Sequence, residues 1–212
     1  MAYRPQLAAA LSGASVHQLA YWRKSTASEG PLLVPEVSQQ PLLYSFRDVI
    51  ALRTTVYLRK RISLQRVRRA IQSLYDLGEG EHLSTYRLVA QGNSVVLIAP
   101  DDSPAVDLVD HPGHQVTVVM SDVLQAFVTA DQVPVPDLLH PRDALQVDPE
   151  IRGGHPVILG TRVPFEVVAG LLRDGVAAEA IADFYPSVGA AAATDALDFA
   201  EYVDRFGRTS AA

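Results

Sequence analysis

The sequence predicts an α+β protein: an N-terminal winged helix-turn-helix, a small central β-unit and a C-terminal three-helix, helix-turn-helix-like domain with a β-hairpin. Three observations lead there. Capped helical patterns fill the first third, short β-prone runs between turn residues follow, and three short helices punctuated by Gly and Pro come last. The expected boundaries are 1–77 for the first domain, 78–130 for the β-unit, 131–147 for a linker with three prolines, and 148–207 for the last domain.

Pro5 suits a first helical position, and Gln6 to Leu11 is rich in Ala and Leu, so a helix of about two turns is expected before Ser12-Gly13-Ala14 breaks it. Ser15 restarts the helix. With Gln18 it makes a reciprocal capping box, after which Val16, Leu19 and Ala20 share one face. The other face carries His17, Gln18, Tyr21 and Lys24, flanked by Trp22 and Arg23. These are hydrogen-bonding, stacking and cationic groups of the kind that meet base edges and phosphates. Trp22 itself is expected in the core. Leu32-Leu33-Val34 and Leu42-Leu43-Tyr44, separated by a polar, proline-bearing stretch, predict a hairpin wing. Ser45 with Asp48 caps the next helix, whose stripe is Val49, Leu52, Val56 and Tyr57. Ser63 opens another with Leu64, Val67, Ile71 and Leu74 on one side and Arg66, Arg68 and Arg69 elsewhere.

In the β-unit, strands are expected at Tyr86 to Ala90, Ser94 to Ile98, Ala105 to Leu108 and Gln115 to Met120, with turns at Gly92-Asn93, Asp101 to Pro104 and His111-Pro112-Gly113. A helix is expected near Ser121 to Phe127. In the last domain Pro156 to Arg162 predicts a small hairpin, flanked by Arg152 and Arg162, which pin it to acidic neighbours or bind partner groups. Pro164 opens a helix that Asp174-Gly175 stops. A second is expected from about Ala177 to Tyr185, burying Ile181 and Phe184, and a third, capped by Ser187, reaches about Arg205.

The charge is unevenly spread. Residues 1–75 hold eleven bases against three acids, a net +8, while the rest hold seven bases against 21 acids, a net −14. A basic first third is the electrostatic footprint of phosphate binding. The candidate DNA-binding set is Ser15, His17, Gln18, Tyr21, Arg23, Lys24 and Arg47. Zero cysteines exclude disulfides, thiolate metal sites and a cysteine nucleophile. The six histidines lack metalloprotease spacing, Gly154 to Thr161 lacks the P-loop lysine, and nothing groups a nucleophile with a base. No catalytic residue, metal or cofactor is therefore expected. The start of the chain lacks a signal-peptide pattern, and no apolar run is long enough to span a bilayer, so the expected location is the cytoplasm.

Residues 12–24 resemble the helix-turn-helix of the MerR superfamily, as do Leu42 to Val49 and Ile62 to Val67, in the family's order over about the first third. The string Asp148 to Val163, with Leu171 to Val176 and Ile181 to Pro186, is similar to a domain of formerly unknown function found in bacterial antitoxins of the VapB type. The resemblance implies an antitoxin and autorepressor that binds double-stranded operator DNA as a homodimer and neutralises a VapC-like PIN-domain ribonuclease toxin. It adds Tyr44 and Lys60 as backbone contacts. Against MerR-like sensors, Ser25 to Gly30 is an extra stretch and no long coiled coil follows Leu74. Two other readings stay open: a stand-alone MerR-like regulator responding to a small ligand, and an enzyme whose site assembles only in three dimensions.

Overall fold

Local capping chemistry sets the helix boundaries in the N-terminal third. The structure is a computed structural model, and it describes residues 3–24, 31–35, 41–60, 62–76, 87–91, 94–98, 105–107, 115–116 and 123–208. Helix α1 spans Pro5–Ser12 and ends at Gly13, whose φ of 79° lets its N–H donate to the Ala9 carbonyl. A Cβ on Gly13 would lie 2.4 Å from Val135, so this turn needs glycine for backbone and space alike. Helix α2 (Val16–Trp22) carries the reciprocal capping box of Ser15 and Gln18. Helix α3 (Phe46–Leu58) carries the same device in Ser45 and Asp48. Helix α4 follows at Leu64–Asp76.

The expected wing differs. Among the described residues its two arms do not pair with each other; the Leu32 N–H donates to the Trp22 carbonyl, and Tyr44 forms a two-way backbone bridge with Tyr3. The chain entering α1 thus satisfies the backbone groups that a second wing strand was expected to satisfy.

Strands β1 (Arg87–Gln91), β2 (Ser94–Ile98), β3 (Ala105–Asp107) and β4 (Gln115–Val116) form an antiparallel sheet in sequential order. Gln91 pairs with Ser94. The turns expected at Gly92-Asn93, Asp101 to Pro104 and His111 to Gly113 lie outside the described residues. In place of the helix expected near Ser121 to Phe127, residues 123–125 are turn and bend, and β5 (Phe127–Val128) pairs with β6 (Pro134–Val135). The five-residue stretch from Val123 to Phe127 offers too few helical hydrogen bonds to offset nucleation, and its carbonyls are drawn to Arg53 instead.

Strand β7 (Leu145–Gln146) pairs with β8 (Val157–Ile158), whose other edge turns back at Leu159-Gly160 so that the Ile158 N–H donates to the Val163 carbonyl. Helix α5 (Phe165–Arg173) begins after Pro164 and stops at Asp174-Gly175. The expected second helix is divided into a 3-10 turn at Ala178–Ala180 and a single turn α6 (Ile181–Phe184). Ile181 is buried while Phe184, the last residue of that turn, is 57% exposed, against expectation, because the helix ends there and the backbone leaves helical geometry at Tyr185. Helix α7 (Ala190–Arg208) starts three residues beyond Ser187, which is therefore not its cap. Among the described residues no helix is long and apolar enough to cross a membrane. The chain is α+β, with small antiparallel sheets beside packed helices.

The alanines of α1 explain how these parts join. Ala8, Ala9 and Ala10 are fully buried, and the short side chains let α3 approach α1 from one side and α7 from the other. One cluster of buried side chains runs from Tyr3 to Val203, and residues 131–147, expected as a linker, contribute Val135, Leu138, Leu145 and Val147 to the interior. Tyr202 of α7 donates to the carbonyls of Ala10 and Pro134. Burial pushes its phenol from the ordinary 10.0 up to about 12, with Arg142, Arg53 and Arg205 opposing the rise. Unfolded tyrosine loses its proton first, so stability that is complete below pH 10 falls as pH climbs towards 12. Urea midpoints measured across that window should decline, and Tyr202→Phe should flatten the decline; equal slopes in the two proteins would contradict the assignment.

Candidate nucleic-acid interface

The Ser15 box fixes how α2 presents itself. Leu19 and Trp22 are buried, as the helical spacing expected, and this turns His17, Tyr21, Arg23 and Lys24 to solvent. His17 and Tyr21, four residues apart, lie on one face. The Arg68 guanidinium of α4 stands 5.8 Å from the Tyr21 ring centre, which brings the arginine-rich helix beside α2. Arg69 is exposed on that helix and Arg66 is partly so.

Arg47, in the first turn of α3, is exposed, and Arg23 sits close enough to affect Tyr44 at the entry of the same helix. Burial raises the Tyr44 phenol above its ordinary value; Arg23 opposes the rise and Asp48 adds to it. Arg23 and Lys24 thus stand at the end of α2 and Arg47 at the start of α3, while Arg68 of α4 lies beside Tyr21. Lys60 is exposed after α3, its Nζ 5.9 Å from the Tyr57 ring centre. Cations beside an exposed helix face can neutralise phosphates while His17 reaches a groove.

Three expected members fare differently. Tyr44 is 1% exposed, and its hydroxyl lies buried without a hydrogen-bond partner among the described residues, so its side chain cannot touch a nucleic-acid backbone. Burial follows from its bridge to Tyr3, which pulls the segment under α1. Ser15 and Gln18 spend the serine Oγ and the glutamine Oε1 on each other's backbone N–H groups, at 3.0 and 2.8 Å, leaving the Gln18 amide nitrogen open among the described residues. Arg53, counted among the basic residues, is fully buried and leaves the footprint. A sign of this was present in the sequence: Arg53 follows Val49 by four residues and so stands on the apolar stripe of α3.

Of the hairpin-flanking pair, Arg162 is exposed. Arg152 is partly buried at φ 52°, beginning a left-handed turn through Gly153 and Gly154, and its Nε has no partner among the described residues. The left-handed turn carries the Gly154 carbonyl to Tyr3, whose hydroxyl donates to it at 2.6 Å. Sequence reasoning missed this contact, because 151 residues separate the two groups.

A family model described as a protein of unknown function, DUF433, matches residues 145–200. The X-ray crystal structure of Rv2018 from Mycobacterium tuberculosis is similar in fold, with a TM-score of 0.52 at 18% identity over 92% of this chain and 96% of that one. No curated protein matches the sequence.

Proposed function

We propose that the protein is an antitoxin and transcriptional autorepressor, binding operator DNA through a MerR-like helix-turn-helix in its first third. The exposed cations Arg23, Lys24 and Arg47 at the ends of α2 and α3, with His17 and Tyr21 exposed on one face of α2, carry this reading. Two protomers would address half-sites about one helical turn apart. His17 would face bases, while Tyr21, Arg23, Lys24, Arg47 and Lys60 hold phosphates. The acidic remainder, including the segment that matches the unknown-function family, would take a VapC-like PIN-domain ribonuclease of basic surface, with Arg152 and Arg162 at the contact. Opposite charge speeds encounter and favours the right partner.

Binding to a fragment of the protein's own promoter should weaken steeply with salt. Replacing both Arg23 and Lys24 by Ala should lower the slope of log K against log salt by about 2. An unchanged slope removes both from the interface. The partner is checked by co-purification with the product of the adjacent gene: a ribonuclease that neither binds nor loses activity removes the antitoxin role.

A further inference from the structure

A cleft of about 520 Å3 opens where α1 meets α5 and α7, with Arg4, Gln6 and Leu7 on one wall and the two C-terminal helices on the other. That volume lies within the ~300–1,000 Å3 usual for small-molecule sites. Its apolar floor is built by Leu7, Phe165, Ala169 and Val203, all less than a tenth exposed. The short side chain of Ala169 leaves the space.

Two ion pairs form the rim. His155 Nε2 meets Glu166 Oε2 at 2.8 Å, and Arg173 donates through Nη2 to Asp204 Oδ2 at 2.7 Å. Each carboxylate spends one oxygen, so among the described residues Glu166 Oε1 and Asp204 Oδ1 stay open, as do Nε and Nη1 of Arg173. The Arg4 guanidinium has no partner among the described residues. Two arginines balance two carboxylates, so the rim is near neutral and holds unused capacity of both signs. A phosphate ester would meet Glu166 and Asp204 as like charges.

Glu166 and Arg173 stand two helical turns apart on α5, about 10 Å along the axis. Extended chain covers roughly 3.3–3.6 Å per residue, so about three residues bridge that distance. We propose that this cleft binds a short zwitterionic peptide with apolar side chains, its ammonium on Glu166 and its carboxylate on Arg173 and Arg4. The side chains fill the floor over Phe165 and Ala169. The occupant would touch α1, from the basic first third, and α5, from the acidic remainder, at once.

The test is titration calorimetry of the full chain, without DNA, using the tripeptide Leu-Ala-Leu and its N-acetylated, C-amidated and doubly capped forms. The free tripeptide should bind. Capping either end should weaken binding by about tenfold or more, and Arg4→Ala should do the same with no change in melting temperature, since Arg4 is exposed and unpaired among the described residues. Ala169→Leu should abolish binding by filling the floor. Absence of binding up to about 10 mM overturns the proposal. So does equal binding of the doubly capped peptide, which would mark a docking groove for an internal protein segment. An Arg4→Ala protein that binds like the parent overturns it too. Because no DNA is present, none of these results depends on the operator reading.

Discussion

Arg53→Ala is expected to cost about 4 kcal/mol of folding stability, the largest loss from any single side chain on α3. The Arg53 guanidinium is wholly buried and donates to five backbone carbonyls: Leu11 at the end of α1, Val123, Leu124 and Gln125 in the turn before β5, and Pro136 after β6. Its carbon also sits 4.9 Å from the Phe127 ring centre. Nε serves Val123, Nη1 serves Leu11, and the two N–H groups of Nη2 are shared among Leu124, Gln125 and Pro136; few other groups could reach so many acceptors from one planar fork. Truncation strips all five carbonyls of a charged donor. An orphaned buried acceptor costs about 1–3 kcal/mol, and those near the surface recover part of that from water, so the total falls well short of five separate losses. Domains of this size are held by only about 5–15 kcal/mol. Arg53→Lys should lie between parent and Ala, because an ammonium supplies three donors from a single point. Urea melts followed by circular dichroism would check this; a loss below about 1 kcal/mol for the alanine variant would mean the carbonyls have other partners.

The same residue shows what sequence could and could not reveal. Both capping boxes, the Gly13 stop and the burial of Trp22 were legible, because each depends on groups within four residues of one another. Charge along the chain was legible too, but Arg53 was counted with the surface cations since its acceptors lie 42 to 83 residues away. The wing failed for a related reason. Leu42-Leu43-Tyr44 has the composition of a strand, and composition does not name the partner, which is Tyr3. Phe184 was placed inside by assuming one continuous helix from Ala177, whereas the α-helical part is a single turn that ends at Phe184. Of the interface, the exposed ridge of α2 was legible and the contribution of Arg68 through Tyr21 was only half so, because helix order does not give helix proximity. The cleft had no signature, its walls being more than 100 residues apart in sequence.

Gly154→Ala is the second large effect expected, about 3 kcal/mol, and its cause is tested by a pair of variants rather than one. At φ 84° an L side chain pays about 1–2 kcal/mol for the left-handed backbone alone. The new Cβ would lie 2.5 Å from the Tyr3 hydroxyl and 3.0 Å from the Phe46 ring. Tyr3 cannot simply withdraw: it is 1% exposed, its backbone is bridged to Tyr44, and its hydroxyl donates to the Gly154 carbonyl. Tyr3→Phe alone should cost about 1 kcal/mol, the value of one buried hydrogen bond. It also removes the atom nearest the added Cβ. The double variant should therefore lose less than the sum of the single losses, by roughly 0.5–2 kcal/mol. Additive losses would show that the alanine is rejected by its backbone angle and by Phe46, with the Tyr3 hydroxyl uninvolved. A shortfall would place the contact between Tyr3 and residue 154 at this one hydroxyl, because the double variant removes the hydroxyl as it adds the Cβ.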